Sequence, residues 1–279
     1  MPFLGVLPER EALFQPQPVS DVGVNDVEAW RLNPKHRQDY NKLELARSQG
    51  LTAAPCDVSP ESLGVSAETP VFVKPITNLA GMSLGARIVA AGEVHAEEGS
   101  FWCELLAGQQ TSTDCLLHDG KVVWFAHTQA ADERNKQRPI YWQIGVELPQ
   151  LEPTIRSFLE ARLEGYTGLC NLEMVDGRVI EVHLRGSNAF FDFYGPAFIE
   201  SWVALVDRNV WNSPGTIPGG VVYSVFSERP IALDLDRLQR EYPNFTIQPD
   251  RQVEDRIAIL RGNSLEEARR LAEQITHNA

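Results

Sequence analysis

Several patterns that mark common classes of protein are missing from this sequence. The four cysteines lie far apart and form no CxxC pair, which argues against a zinc site or a disulfide framework. No stretch approaches the roughly eighteen apolar residues of a transmembrane helix, and the N-terminus has no basic region followed by a long apolar one. We therefore expect reduced, mostly buried cysteines in a soluble, cytoplasmic protein without a membrane partner.

Positive charge is also scarce. Lys and Arg number 25 against 38 Asp and Glu, which gives a formal net charge of −13 at pH 7. A nucleic-acid partner requires a basic face that neutralises phosphates, so we expect none. A nucleotide ligand remains compatible with this charge because it needs only a few well-placed cations. No GxGxxG motif indicates a dinucleotide site, and no Ser–His–Asp order indicates a hydrolase.

The periodicity of apolar residues predicts a mixed fold with helices and hairpins. The predicted helices cover 34–50, 151–166, 197–210, 234–242 and 264–275. The predicted strands cover 70–75, 100–106, 113–117, 121–127, 169–175, 178–184, 220–226 and 256–260, with a further short strand near 19–24. Residues 133–149 mix polar and aromatic positions and give no clear prediction.

One candidate for chemistry is the strand VFVKP at 71–75. Its Lys74 is expensive to bury in an apolar strand without an anionic partner. The following loop carries Gly81, Ser83 and Gly85, and a loop of this kind can direct backbone N–H groups at phosphate oxygens. The alternative interpretation is a lysine that reaches solvent from a strand end, beside an ordinary loop.

A second candidate is the acidic hairpin near residue 176. If residues 176–178 form a three-residue loop, Glu173 falls opposite Glu181 on the neighbouring strand. Facing carboxylates repel each other unless a cation lies between them, and oxygen ligands suit Mg²⁺. Glu181, His183 and Arg185 are spaced by two and share one face of their strand. The alternative is a solvated strand with an ion pair between Glu181 and Arg185.

A third candidate is FWCELLAG at 101–108. Apolar residues there lead into Glu104, an arrangement that suits adenine against the apolar side chains and a ribose hydroxyl on the carboxylate. An ordinary exposed glutamate is the alternative.

Taken in this order, the motifs resemble the ATP-grasp superfamily of carboxylate–amine ligases. The resemblance covers about residues 36–190 and rests on YNKL, VFVKP with GMSLGA, CELLAG, STD and NLEMVDGRVIEVHLR. A looser similarity continues in RIAILRGNSLEEARRLAEQI near the C-terminus.

The resemblance implies an α+β fold, with an ATP-grasp-like core of two lobes and a small C-terminal α/β lobe. The expected divisions are a short N-terminal segment and linker helix (1–51), a small lobe (52–107), a large lobe with the metal hairpin (108–214) and the C-terminal lobe (215–279). Members of the family usually carry a full Rossmann-like domain before the linker helix, where about 35 residues stand in this chain. Either the chain is a minimal variant or another chain, a second copy included, supplies that part.

The resemblance also implies a site for ATP. Lys42 and Lys74 would hold its phosphates beneath the loop that contains Gly81, Ser83 and Gly85. Backbone atoms around Cys103 and Leu105, together with the carboxylate of Glu104, would contact adenosine.

Mg²⁺ would bind to Glu173 and Glu181, and His183 stands where the family usually has a metal-binding asparagine. Magnesium prefers oxygen, so either the metal set is altered or His183 contacts substrate. The implied catalytic residues are Lys74 and Arg185, with Arg185 steadying a transition state that resembles an acyl phosphate.

The implied reaction activates a carboxylate with ATP and joins it to an amine or a similar nucleophile. Two alternatives remain open, a nucleotide-binding subunit that depends on a partner or lacks catalysis, and a small-molecule kinase. The sequence does not identify the acid or the amine.

Overall fold

Two antiparallel β-sheets of unequal size form the body of the protein. They are seen in a computed structural model that describes residues 1–81, 83–250 and 255–277. Within these ranges no helix combines the length and the apolar character needed to cross a membrane. The four cysteines are buried and unpaired, as predicted.

The chain begins with an N-terminal arm, residues 1–33, followed by two short helices. The regular elements of this part are β1 (Phe3–Leu4), a 3-10 helix (Pro8–Leu13), β2 (Val22–Gly23), α1 (Asp26–Leu32), a second 3-10 helix (Pro34–Tyr40) and α2 (Lys42–Ser48). The sequence predicted a single helix over 34–50, and that prediction was wrong. Asn41 has an extended backbone, with φ −79° and ψ 97°, and its side chain accepts a hydrogen bond from the backbone N–H of Glu44. Asn41 therefore ends one helix and caps the next.

Helix α1 was not predicted. Asn25 caps it by accepting a hydrogen bond from the backbone N–H of Glu28, and Ala29 faces the interior. This Asn–x–x–Glu spacing is a recognised N-terminal helix signal, so the helix was detectable in the sequence.

The smaller sheet follows the linker helices. It consists of β3 (Ala53–Pro55), β4 (Pro70–Pro75), β5 (Arg87–Ala90) and β6 (Ser100–Glu104), in the spatial order β3–β6–β4–β5. Strand β4 pairs with β5 on one side and β6 on the other, which sets Lys74 opposite Phe101. Alternation along β4 buries Val71 and Val73 completely.

The remaining strands of the described residues, which include a small β9–β10 hairpin, are β7 (Gln110–His118), β8 (Lys121–Ala130), β9 (Arg134–Asn135), β10 (Arg138–Pro139), β11 (Tyr141–Ile144), β12 (Gly168–Val175), β13 (Arg178–His183), β14 (Gly220–Phe226), β15 (Thr246–Pro249) and β16 (Arg256–Gly262). Eight of them form the larger sheet, in the order β13–β12–β7–β8–β11–β14–β16–β15. The remaining α-helices of the described residues are α3 (Glu152–Arg162), α4 (Gly195–Arg208), α5 (Leu235–Glu241) and α6 (Leu265–His277).

The strands expected in a C-terminal lobe extend this larger sheet. β14 pairs with β11, so that Tyr223 lies opposite Tyr141. Helices α5 and α6 cover this end of the sheet. Leu238 of α5 and Leu271 of α6 belong to the same hydrophobic cluster as residues of these strands. The connecting strand β11 lies in the stretch that the sequence left without a prediction.

The two faces of the larger sheet have different cores. Leu116 of β7 points into a cluster rich in aromatic rings, whose members from the arm and α4 include Phe3, Phe14, Phe198 and Trp202. Its neighbours Cys115 and Leu117 point the other way, into a cluster formed with α2 and α3. Aromatic side chains of this size each bury about 150–250 Å², so the arm is part of the core.

Candidate functional site

A cleft of about 400 Å³ lies between the smaller sheet and the hairpin formed by β12 and β13. This volume is in the range of small-molecule sites. Apolar side chains line one part of it: Phe72, Leu84, Ile88, Leu105, Leu106, Val175 and Ile180. Charged and amide side chains line the rest: Lys42, Lys74, Glu104, Gln110, Arg134, Glu173 and Glu181. The cleft thus combines an apolar part with a strongly charged one.

Two buried lysines meet one carboxylate in the charged part. Lys42, the first residue of α2, places its Nζ 2.7 Å from Glu181 Oε1. The Nζ of Lys74 lies 3.8 Å from the same oxygen and donates a hydrogen bond of 3.1 Å to the carbonyl of Ile180. Burial lowers the pKa of Lys74, and Glu181 offsets part of this effect. Lys74 is only 6% exposed, so the interpretation as a lysine that reaches solvent was wrong.

The acidic hairpin has the predicted register but a different turn. Asp176 and Gly177 form a two-residue loop, both with positive φ (47° and 77°), where three residues were expected. A shift in the ladder then leaves Ile180 as an extra residue, and Glu173 lies opposite Glu181 after all. The bulge also turns the carbonyl of Ile180 towards Lys74, which is typical of bulges beside functional sites.

Glu173, Glu181 and His183 come together at the hairpin. One possible ligand atom from each lies within 4.8 Å of the others. Burial raises the pKa of Glu173, and the neighbouring Glu181 raises it further. The pKa of Glu181 is held well below its usual range, because Lys42, His183 and Lys74 outweigh its burial. Two carboxylates and an imidazole in this arrangement fit a divalent cation.

His183 and Arg185 share a carboxylate that comes from the arm. Asp26 Oδ1 lies 2.9 Å from His183 Nδ1, and Asp26 Oδ2 accepts a hydrogen bond of 2.7 Å from Arg185. The other ring nitrogen of His183 is 3.2 Å from Glu181 Oε2. Burial alone would raise the pKa of Asp26, but Arg185 and His183 reverse this and lower it strongly.

This arrangement contradicts the simple ion pair considered for β13. Glu181 pairs with Lys42, whereas Arg185 pairs with Asp26. The side chains of Glu181 and Arg185 are 17% and 16% exposed, so neither belongs to a solvated strand face. The sequence analysis missed Asp26 because it predicted no helix in that part of the arm.

The chain leaves the hairpin through a loop at residues 185–194 that is anchored on Asp114. This buried carboxylate accepts hydrogen bonds from the backbone N–H of Ser187, the hydroxyl of Tyr194 and the amide of Asn171. Burial raises the pKa of Asp114. A Cβ on Gly186 would lie about 3.0 Å from Asp114, which explains why glycine stands there. The STD motif therefore contributes a support for the loop.

The loop after β4 is shaped by left-handed residues. Gly81, Ser83 and Gly85 have φ values of 68°, 52° and 75°. Asn78 holds the loop, since its side-chain oxygen accepts hydrogen bonds from the backbone of residues 80 and 81. Ser83 lines the cleft, whereas the two glycines shape the loop beside it. Met82 of the same motif lies outside the described residues.

The third motif contributes side chains to both the apolar and the charged parts of the cleft. Cys103, Glu104 and Leu105 all line it. Burial raises the pKa of the Cys103 thiol. Glu104 is exposed, and its Oε1 accepts a hydrogen bond of 3.2 Å from the backbone N–H of Thr52.

The sequence analysis missed a polar chain that leads to Glu173. Gln110 donates a hydrogen bond of 3.0 Å to Glu173 Oε2, and Arg134 donates one of 2.5 Å to Gln110 Oε1. Arg134 and Gln137 belong to the β9–β10 hairpin and line the cleft. The polar run DERNKQR was their only signal, and it has the composition of an ordinary surface loop.

The two sheets and the cleft between them form the ATP-grasp fold, as predicted. An L-amino acid ligase from Bacillus licheniformis aligns with a TM-score of 0.62 and 14% identity, over 90% of this chain and 75% of that one. An N5-carboxyaminoimidazole synthase from Aspergillus clavatus, in complex with ADP and 5-aminoimidazole ribonucleotide, aligns with a TM-score of 0.61 and 11% identity, over 96% and 84%. A phosphoribosylamine–glycine ligase from Thermotoga maritima has a TM-score of 0.59 and 14% identity, over 96% and 81%.

These likenesses are structural. No protein-family model matches the sequence, and no curated protein matches it by sequence.

Proposed function

We propose that this protein is an ATP-dependent ligase that converts a carboxylate to an acyl phosphate, which an amine or a similar nucleophile then attacks. The observation that carries the proposal is the cleft itself. Its apolar part suits adenine, and two buried lysines and an acidic hairpin lie in its charged part. Proteins of the same fold that are named as ligases support it.

The lysines account for binding of the triphosphate. Phosphate oxygens would replace Glu181 as the anionic partner of Lys42 and Lys74. Ser83 and its loop, which border the same cleft, would cover the phosphates. Glu181, together with Glu173 and His183, would then hold a divalent ion. That ion, when bound, supplies positive charge against the phosphate oxygens, and phosphoryl transfer depends mainly on such charge and on positioning.

In this proposal Arg185, which stands next to the cleft lining and not in it, would contact the acceptor carboxylate. Its guanidinium is fixed by Asp26, and the loop at residues 185–194 that follows is anchored on Asp114. A guanidinium held in this way can stabilise the negative charge that develops on the carboxylate and the phosphoryl group. The partners in this proposal are a small-molecule acid and an amine.

Thermal unfolding with and without ATP and Mg²⁺ tests the nucleotide site. A ligand at 100 times its Kd adds about 2.7 kcal/mol to the free energy of unfolding, which corresponds to a rise of roughly 5–10 °C in Tm. Lys74→Ala should abolish the rise. Lys121→Ala is the matched control, because Lys121 is an exposed lysine that pairs with Glu160. No rise with the unmodified protein would contradict the proposal.

Turnover separates the ligase from the two alternatives. ADP release that requires both an acid and an amine, with a joined product, is expected for a ligase. Phosphate transfer without a joined product would instead identify a small-molecule kinase. Binding of ATP without turnover, across a panel of acids and amines, would favour a subunit that depends on a partner.

A further inference from the structure

The arm reaches the hairpin through one buried carboxylate. Asp26 is 5% exposed, and its two oxygens contact two different groups, His183 Nδ1 and Arg185 Nη2. A buried carboxylate is costly unless it is paired and hydrogen-bonded, and here both oxygens are engaged. The position of Asp26 in the first turn of α1, beside the cap at Asn25, fixes where this carboxylate lies.

This contact determines which nitrogen of His183 is available. With Nδ1 directed at Asp26, the other nitrogen, Nε2, lies 3.2 Å from Glu181 Oε2, and Glu181 forms a group of possible metal ligands with Glu173 and His183. Tyr40 also packs its ring edge-on against the imidazole, with the ring centroids 5.9 Å apart. The imidazole is therefore held by both Asp26 and Tyr40, with Nε2 directed at Glu181. Histidines that bind metals commonly have their second nitrogen bound to a carboxylate in this manner.

The ligand atoms of Glu173, Glu181 and His183 influence which divalent ion this group binds. Mg²⁺ binds oxygen almost exclusively and requires nearly ideal octahedral geometry. Transition ions accept imidazole more readily, and Mn²⁺ combines that property with a preference for carboxylates and phosphates. Two carboxylates, one imidazole and the oxygens of a triphosphate form such a mixed set.

We propose that Asp26 is a positioning residue that fixes His183 as a nitrogen ligand, and that the centre consequently prefers Mn²⁺ to Mg²⁺. The inference rests on the proposed nucleotide site. It gives the arm a role in the site, because among the described residues the carboxylate on His183 Nδ1 is that of Asp26.

Metal binding tests this directly, without turnover. The Kd of Mn²⁺ is measured from the EPR signal of the free ion, in the presence of a non-hydrolysable ATP analogue, and Mg²⁺ is added as a competitor. His183→Asn replaces the nitrogen ligand by an oxygen, so the preference for Mn²⁺ over Mg²⁺ should fall at least about 10-fold. Asp26→Asn should weaken Mn²⁺ binding by about 10–100-fold, the usual effect of removing such a second carboxylate, and should affect Mg²⁺ less.

A matched control separates positioning from general damage. Asp192→Asn also alters a largely buried carboxylate, 17% exposed, that contacts two basic side chains, but those are Arg10 and Arg261. It should leave the ratio of the two metal affinities unchanged in the folded protein. If Asp26→Asn does not fold, His183→Asn alone still tests the preference.

The failures are distinguishable. If the unmodified protein binds no ATP analogue, the proposed function itself is contradicted. If it binds the analogue but His183→Asn keeps the same metal ratio, or Asp26→Asn keeps the same Mn²⁺ affinity, only the present inference is overturned.

Discussion

The arm takes part in two buried clusters of charge that differ in their surroundings. The site cluster consists of Asp26, Lys42, Lys74, Glu181, His183 and Arg185, and three of its members line the cleft. The Arg10 cluster consists of Arg10, Asp192 and Arg261, none of which lines the cleft. The loop at residues 185–194 links the two, since it begins at Arg185 and contains Asp192.

The arginines of the Arg10 cluster contact groups of the protein itself, away from the cleft. Asp192 Oδ2 lies 2.7 Å from Arg10 and 3.2 Å from Arg261, and backbone carbonyls of the loop accept further hydrogen bonds from both arginines. Burial lowers the pKa of Arg261 to about 10, although Asp192 partly opposes this. These contacts fasten the arm to the loop and β16, while Arg10 Nε and Arg261 Nη1 are buried without a hydrogen-bond partner among the described residues.

The comparison teaches that buried charge alone does not indicate a ligand site. Both clusters hold arginines or lysines against carboxylates in the interior. The site cluster differs because its lysines face a cleft large enough for a ligand, so phosphate oxygens can replace Glu181 as their partner. We therefore expect mutations in the site cluster to change activity and those in the Arg10 cluster to change stability.

The largest effect is expected at Glu181. Glu181→Gln removes the carboxylate that contacts both lysines and belongs to the proposed metal site. It should lower ATP-dependent turnover by about 100–1,000-fold, or about 3–4 kcal/mol in the activation free energy. Steady-state kinetics measures this. Glu104→Gln is a matched control in the same cleft, and it should raise KM for ATP modestly with kcat unchanged. Full ligation by Glu181→Gln would show that the metal assignment is wrong.

A large effect on stability is expected at Asp192. Asp192→Asn leaves two buried arginines without their shared anion, at a cost of about 3 kcal/mol. Tm should fall by roughly 6–12 °C in a thermal scan, while the Kd of the ATP analogue stays unchanged in the folded protein. A normal Tm, or a loss of nucleotide binding without a loss of Tm, would remove the distinction between the clusters.

The loop between the clusters should show a smaller effect. Tyr194→Phe keeps the ring in the aromatic core and removes one hydrogen bond to the buried Asp114, at a cost of about 2 kcal/mol. Hydrogen exchange at the backbone N–H of Ser187, which binds the same carboxylate, should become faster. Unchanged exchange there would mean that the loop is held by other contacts.

The sequence predicted the charged part of the site better than the turn that forms it. Glu173 and Glu181, facing each other on paired strands, indicated a cation between them, the family resemblance added His183, and the structure brings the three together. The two-residue turn and the bulge at Ile180 compensate for each other, so a wrong turn still gave the correct register. A bulge has no simple sequence signal, because it depends on how the hairpin packs against its neighbours.

Contacts between distant parts of the chain could not be predicted. Asp26 and His183 are 157 residues apart, and the local sequence around either residue does not indicate a contact with the other. The continuity of the larger sheet depends on β11, a short strand without apolar alternation, which pairs with β8 and β14. A single sequence shows the periodicity of apolar residues and the positions of turns. It does not show which strands distant in the sequence pair with each other, because that pairing depends on how the core assembles.

Asn41 offers the smallest and most local test, at the point where the predicted helix was wrong. Asn41→Ala removes the cap of α2 and should cost about 1 kcal/mol, a fall of roughly 2–4 °C in Tm. Because Lys42 is the next residue, fraying of this turn should also weaken binding of the ATP analogue a few-fold. Asn41→Ser keeps a capping oxygen and should restore both quantities. If Asn41→Ala lowers Tm but leaves nucleotide binding intact, Lys42 is held by Glu181 rather than by its helix, and the site cluster positions its own lysine.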